Sequence, residues 1–221
     1  MKRIFVTLSA VALVALAAQA QAAGGMYGGV KAGANFANMS NAEDFIASGT
    51  SGASVSTSMR TGFMGGLFVG KDVNEKMGFR VEGLWVQKGV KADITVPSLG
   101  TASTTTKLDY IEFPILFVYN LSNTEKMGFN VFAGPTLGFN ITAKAEDTDI
   151  KDNIESFEFG GAIGAGVAKK MAGGKAITLD ARYSMGGTGV GKDVPSGVDN
   201  PKNRGIGVMV GYQMPLGHSA Q

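Results

Sequence analysis

The chain contains no cysteine. Disulfide frameworks, thiolate nucleophiles, cysteine zinc sites and a lipoprotein anchor are therefore excluded, because each needs that sulfur. Histidine occurs once, as His218 near the C-terminal end, so Ser-His pairs and multi-histidine metal centres have nothing to build on. Charge is scarce at 17%. After residue 22 no apolar run approaches the roughly 20 residues of a spanning helix; the strongest is Ile115 to Tyr119. What is plentiful is glycine, 33 of 221 residues, beside 44% apolar residues. So much glycine without a collagen period argues against a compact helical protein.

The first 22 residues have the form of a secretory signal. Lys2 and Arg3 supply the positive start, Ile4 to Ala18 the apolar stretch and Ala20-Gln21-Ala22 the small-residue cleavage site. An apolar stretch of about 15 residues is too short to be a membrane anchor. Cleavage near Ala22 is expected, with residues 23–221 as one domain. Lys2 and Arg3 are two of the 20 basic residues, and without them bases and acids balance at 18 each. No basic patch points to nucleic acid.

From there on the chain alternates with a period of two, the signature of β-strands. Eight alternating segments are expected, near 26–37, 60–70, 78–90, 107–119, 127–142, 157–169, 176–185 and 203–214. The intervening stretches 38–59, 91–106, 143–156 and 186–202 are long and polar, whereas 71–77, 120–126 and 170–175 are short. An even strand number with short turns on one side and long loops on the other predicts an all-β fold. The fold expected is an eight-stranded antiparallel up-and-down transmembrane β-barrel in the outer membrane.

A soluble barrel would alternate as well, so the direction of each phase decides. The apolar phase carries no charge, as a lipid-facing surface requires, since a charge there costs about 2–4 kcal/mol at mid-depth. The other phase carries most of the glycines within the strands, which weaken a solvated sheet surface but suit the taper of a narrow interior. Outward aromatics fall in two groups. Phe36, Trp85, Phe139, Phe157, Phe159 and Tyr183, joined by Phe63, lie toward the outer end; Phe79, Tyr119, Phe129 and Tyr212 lie toward the inner end. Two interfacial girdles belong to a membrane barrel. Phe113 and Phe117 fall at mid-depth, and Phe68 and Phe132 point inward.

Several stretches resemble the small outer-membrane β-barrel proteins grouped with PorT and often labelled "porin family". They are Gly29-Val-Lys-Ala-Gly-Ala-Asn-Phe36, Arg80-Val-Glu-Gly-Leu-Trp-Val-Gln-Lys-Gly89, Leu108-Asp-Tyr-Ile-Glu-Phe-Pro114, Phe132-Ala-Gly-Pro-Thr-Leu-Gly138 and Leu179-Asp-Ala-Arg-Tyr-Ser-Met-Gly186, with Gly205 to Tyr212 as the last strand. The resemblance implies a Gram-negative envelope, an eight-stranded barrel and no shared catalytic residues. It makes bulges the expected answer to Pro114 and Pro135, which sit inside strands where a missing N–H breaks the ladder. Barrels of this kind often finish on an aromatic residue, whereas Tyr212 is followed by nine more residues. Either the insertion signal is internal or the tail is a short periplasmic extension.

The inward charges are the most chemical feature. Lys31, Arg80, Glu82, Glu112, Glu158, Asp180 and Arg182 are expected to share one narrow lumen, with the third, fourth and seventh strands facing each other across it. A gate or proton path is the functional reading. A structural network plugging the barrel is favoured, because charges in a tight interior need partners and eight strands enclose little more than side chains. The acidic stretch Glu146-Asp-Thr-Asp-Ile-Lys-Asp-Asn153 fails as an EF-hand, with Lys151 at a ligand position and Asp152 in place of glycine. Gly186-Gly-Thr-Gly-Val-Gly191 opens no helix and is better taken as a mobile surface loop than as a phosphate loop.

Four functional readings follow. The favoured one is a non-enzymatic envelope barrel with a plugged lumen and long loops for structural, binding or adhesion roles. No cofactor or metal is expected. The partners expected are outer-membrane lipid and lipopolysaccharide, the barrel-assembly machinery during insertion, and an extracellular or envelope partner of unknown identity. The alternatives are a small porin-like diffusion channel or an accessory barrel of a protein-secretion system. A membrane acyltransferase or protease would want a base beside a nucleophile, and the one histidine is in the tail; an aspartate-based site in the loops stays open.

Overall fold

The computed structural model describes residues 25–49, 52–97 and 100–216. The leader, its cleavage site and His218 lie outside the described residues. Among the described residues nine strands form, β1 (Met26–Ser40), β2 (Ser54–Asp72), β3 (Met77–Val96), β4 (Gly100–Asn123), β5 (Met127–Ala145), β6 (Thr148–Asp149), β7 (Phe157–Lys170), β8 (Ala176–Gly186) and β9 (Lys202–Pro215). A short α-helix, α1 (Ala42–Ser48), follows β1. Each long strand pairs antiparallel with its neighbours, β4 meets β5 and β1 meets β9, so eight strands close into a ring. β6 only extends the outer edge of β5. Closure removes every long edge, which is how a sheet satisfies its backbone groups where no water is available.

The eight expected segments each lie within a strand, but the connections do not all differ in length as expected: β3 runs to Val96 and β4 starts at Gly100, so the connection expected to be long at 91–106 is as short as the short turns. The strand ends differ. β2 starts at Ser54, and β3 and β4 stay paired from Lys91↔Thr105 out to Val96↔Gly100. Of the stretches expected as loops, 91–96, 100–106 and part of 38–59 are thus strand. The Ser and Thr residues there suggest turns, yet threonine is β-branched and suits a pleated sheet. β2 to β5 form a tall wall that rises beyond β7, β8 and β9.

Pro114 and Pro135 do not sit in bulges. The β3–β4 and β4–β5 ladders skip the pairs around them, Glu82 and Gly83 on one side and Ile115 and Leu116 on the other, and resume in the same register. One missing N–H removes a bond without demanding an extra residue. Shifts of register lie elsewhere, between Met59 and Met64 of β2 and at Asp109–Tyr110 and Asn120–Ser122 of β4. The β2 irregularity is built opposite Gly89, whose φ of 126° only glycine adopts comfortably. Its loose polar groups are collected. Asn35 Nδ2 donates to Gln87 O at 2.9 Å, Phe63 N to Gln87 Oε1 at 3.0 Å, and an Arg60 guanidinium nitrogen to Lys88 O.

Beyond Tyr212, the chain does not leave the barrel at once. β9 runs to Pro215, which pairs with Tyr27, and Leu216 N donates to Met26 O at 2.9 Å. The described part of the tail therefore completes the seam between the first and last strands.

Candidate functional site in the barrel interior

Alternation places one phase outside and one inside. Val30, Leu67, Ile163 and Val210 are exposed on the outer surface, while Lys31, Phe68, Glu82 and Asp180 are buried in the lumen. Along β3 the interior side chains come in a fixed order from the short-turn end: Arg80 and Glu82, then Leu84 and Val86, then Lys88 and Val90. This order stacks two charged layers with an apolar layer between them.

The first charged layer joins β1, β3 and β8. Lys31 Nζ lies 2.8 Å from Glu82 Oε1 and 2.6 Å from Asp180 Oδ2. Arg80 Nε approaches the same Glu82 oxygen at 2.8 Å, Arg80 Nη2 lies 3.3 Å from Asp180, and Arg182 Nη2 reaches Glu82 Oε2 at 2.6 Å. Two aromatic rings flank the layer. Lys31 Nζ stands 4.6 Å from the centre of the Phe68 ring, and the Arg80 guanidinium 4.6 Å from that of Phe132, close enough for cation–π attraction. Glycines make room for them, since a Cβ on Gly164 would fall 2.5 Å from the Phe132 ring.

The middle layer packs Met64, Leu84, Val86 and Met209. Above it, Lys88 Nζ sits 2.5 Å from both Glu112 Oε1 and Glu158 Oε1 and 4.7 Å from the centre of the Tyr110 ring. Asn203 Nδ2 donates to Glu158 and, at 3.3 Å, to the Tyr110 hydroxyl. The first layer holds three cations and two anions and the second one cation and two anions, so the two together are neutral.

All seven charges expected inside are inside, but they do not form one set. Glu82 and Arg182 do meet across the lumen. Glu112 belongs to the upper layer and pairs with Lys88, which was not among the seven. The signal for Lys88 was present: it continues the even-numbered inward phase of Arg80 and Glu82, and without it the seven would leave one anion in excess. Between the layers the structure has a void of only about 10 Å³, beside Asn35, Met64 and Lys88, about the space of one water.

On the outside, Phe63 and Trp85 have ring centres 5.7 Å apart, and Phe113, Phe139 and Phe157 follow at 6.2 and 5.5 Å. Phe79 and Phe117 meet at 5.7 Å toward the short turns. Phe113 and Phe117, expected at mid-depth, each pack against a ring of one of the two aromatic groups. Phe36, Tyr119, Phe129, Phe159 and Tyr183 are exposed on the outer surface, and Tyr212 is half-buried.

The long-loop end has a small core of its own. Met39, Ala42, Val90, Leu108, Tyr110, Ala143, Ile154 and Val190 pack together, all buried. Two loops are stitched over it: Glu155 N donates to Val190 O at 2.8 Å, Lys192 N to Asn153 O at 3.0 Å, and Val190 N to Pro201 O at 2.8 Å. The 186–191 stretch, expected as a mobile loop, is thus tied down. Its glycines allow the chain to pass close under Phe159, whose carbonyl accepts from Gly187 N at 2.7 Å. In the acidic stretch, Glu146 takes the Thr105 amide and Asp149 Oδ1 the Lys151 amide. No cluster of three or more metal-ligating side chains occurs among the described residues.

Two features decide the class: a closed ring of strands with apolar side chains outward, and charged side chains buried in its interior. A family model described as "Outer membrane protein beta-barrel domain" matches residues 17–187. The chain belongs to that family. It is an outer-membrane protein, and its eight long strands are membrane-spanning. Among solved structures, Neisserial surface protein A is similar at 16% identity, covering 87% of this chain and 98% of its own, with a TM-score of 0.51. OprG from Pseudomonas aeruginosa is similar at 12% identity over 87% and 97%, TM-score 0.47. Ail of Yersinia pestis is similar at 14% identity over 86% and 100%, TM-score 0.41. At such identities the likeness to Neisserial surface protein A speaks for the fold alone. No curated protein matches the chain.

Proposed function

We propose that the protein is a non-enzymatic envelope barrel whose lumen is closed by its own side chains, serving as a rigid platform for the loop cap at the outer end. Its role is structural or adhesive, with the cap as the part that meets an extracellular or envelope partner. The observation that carries this reading is the pairing of Lys31 with both Glu82 and Asp180 in a layer where no charge is exposed. An eight-stranded barrel is just wide enough to be filled by side chains, and breaking such a buried set to admit ions would leave unpaired charge away from solvent. A PorT-like place within the family, and a secretion-accessory role with it, rests on the resemblance of the quoted stretches. Planar-bilayer recording of the refolded mature chain tests the closed lumen. Absence of steady openings in wild type is expected; stable single-channel steps would instead favour a small diffusion channel.

A further inference from the structure

The outer surface carries a feature that the closed lumen does not explain. Where β8 ends, an open notch of about 420 Å³ is cut into the rim between β7 and β9. Its apolar wall is Phe159, Tyr183 and Met185, all well exposed. Its polar lining is Ser40, Lys202, Asn203 and Arg204, and no acidic residue lines it. The glycine pairs 160–161 and 186–187 line it as well, and they add no side chain that could fill it.

The depth of the two cations is fixed by the ladder. Ile206, on the lipid-facing phase of β9, pairs with Phe36 of β1 on one side and Tyr183 of β8 on the other, both members of the outer aromatic group. Arg204 and Lys202 follow on the same phase, toward the long-loop end, opposite Met185 and Ser40 respectively. Two residues of strand advance about 7 Å. The cations therefore stand just above the aromatic girdle, at the level where a lipid headgroup begins. Both are exposed, and among the described residues neither side chain forms an ion pair or hydrogen bond.

We propose that this notch is a binding site for a phosphate-bearing lipid of the outer leaflet. The phosphate lies between Lys202 and Arg204, and an acyl chain runs down past Met185, Tyr183 and Phe159. A free anion would use the cations but leave the apolar wall uncovered, and a neutral lipid would do the reverse; only an anionic amphiphile uses both. The proposal stands on the outer-membrane location and is independent of whether the lumen conducts.

Native mass spectrometry of the refolded mature chain in detergent micelles tests it, with three probes: bisphosphorylated lipid A, the same lipid stripped of phosphate, and inorganic phosphate. Each surface cation near an anionic headgroup is worth about fivefold, so the phosphorylated lipid should bind about thirtyfold more tightly than its stripped form. Lys202→Gln/Arg204→Gln should abolish that preference while the barrel keeps its heat-modifiable mobility on gels. Millimolar inorganic phosphate should leave the lipid bound. Equal binding of the two lipids, an unchanged preference in the double variant, or displacement by inorganic phosphate alone would each overturn the assignment. Should the double variant fail to fold, the comparison of the two lipids on wild type decides by itself.

Discussion

Lys31 and Glu82 meet 2.8 Å apart inside the barrel, from strands that are not neighbours and positions 51 residues apart. Glu82 also receives Arg80 and Arg182, so this one carboxylate holds three cations together. Glu82→Gln should leave those three facing Asp180 alone. Removing one partner of a buried ionic set costs about 3–5 kcal/mol, and that loss is expected in urea unfolding from lipid vesicles, followed by Trp85, the sole tryptophan. Adding Arg182→Met should cost less than the sum of the two single changes, because the pair shares a network. Strict additivity would show that the network has no collective role.

Glycine makes the interior possible at particular places. A Cβ on Gly164 would lie 2.4 Å from Ala181 O and 2.5 Å from the Phe132 ring, with backbone on one side and a packed ring on the other. On Gly83, whose Cβ would point outward, the nearest atom is 3.8 Å away. Gly164→Ala should therefore destabilise the folded barrel by about 1–3 kcal/mol, the usual cost of overpacking. Gly83→Ala should change stability by less than about 0.5 kcal/mol, as surface changes do. Equal unfolding midpoints for the two variants would contradict the inward and outward assignment.

The contrast between these two glycines also marks what the sequence can disclose. Period-two alternation separates Gly164 from Ile163 and Gly83 from Leu84, because in a strand direction follows from parity alone. Parity likewise puts Lys31, Glu82 and Asp180 inside. It does not say which interior charges share a height, since that depends on strand stagger and on shifts such as the one between Met59 and Met64. Hence Glu112 is legible as inward but not as the partner of Lys88. The outer cap is hidden for a different reason. Ile154 and Val190 are isolated apolar residues in polar loops, and only the tall wall of β2 to β5, itself disguised by serine and threonine, turns them into a core.

The first loop contains a pH-sensitive clasp. Glu43 of α1 accepts both the amide and the hydroxyl of Thr57, each at 2.9 Å. These hydrogen bonds, the amide first, hold its carboxyl below the usual glutamate range although it is fully exposed. A folded pKa below the unfolded one means the clasp contributes above the unfolded value and is lost as pH falls through the folded value. A Glu43 side-chain NMR titration should give a midpoint under that of a free glutamate. Amide exchange at Thr57, corrected for its intrinsic pH dependence, should quicken below that midpoint in wild type. In Glu43→Gln that acceleration should be absent. A normal midpoint would mean the clasp does not form in solution.

Val190 separates the stability of the cap from that of the ring. It is buried among Leu108, Tyr110 and Ile154, yet it reaches them from the 187–201 loop and not from a barrel strand. Val190→Asp would put an unpaired charge into that cluster, a cost of several kcal/mol. The ring can avoid that cost if the loop lifts away, because the two charged layers beneath are paired within strands and need nothing from the loop apart from its neighbour Asn203 on β9. Local opening with the remainder intact is the expected response. Limited proteolysis should then cut between residues 187 and 201, and in the stitched 146–156 loop, in the variant but not in wild type. Heat-modifiable mobility and the Trp85 unfolding midpoint should stay close to wild type. If Val190→Asp instead unfolds the whole barrel, cap and ring are one cooperative unit and the platform reading loses its mechanical basis.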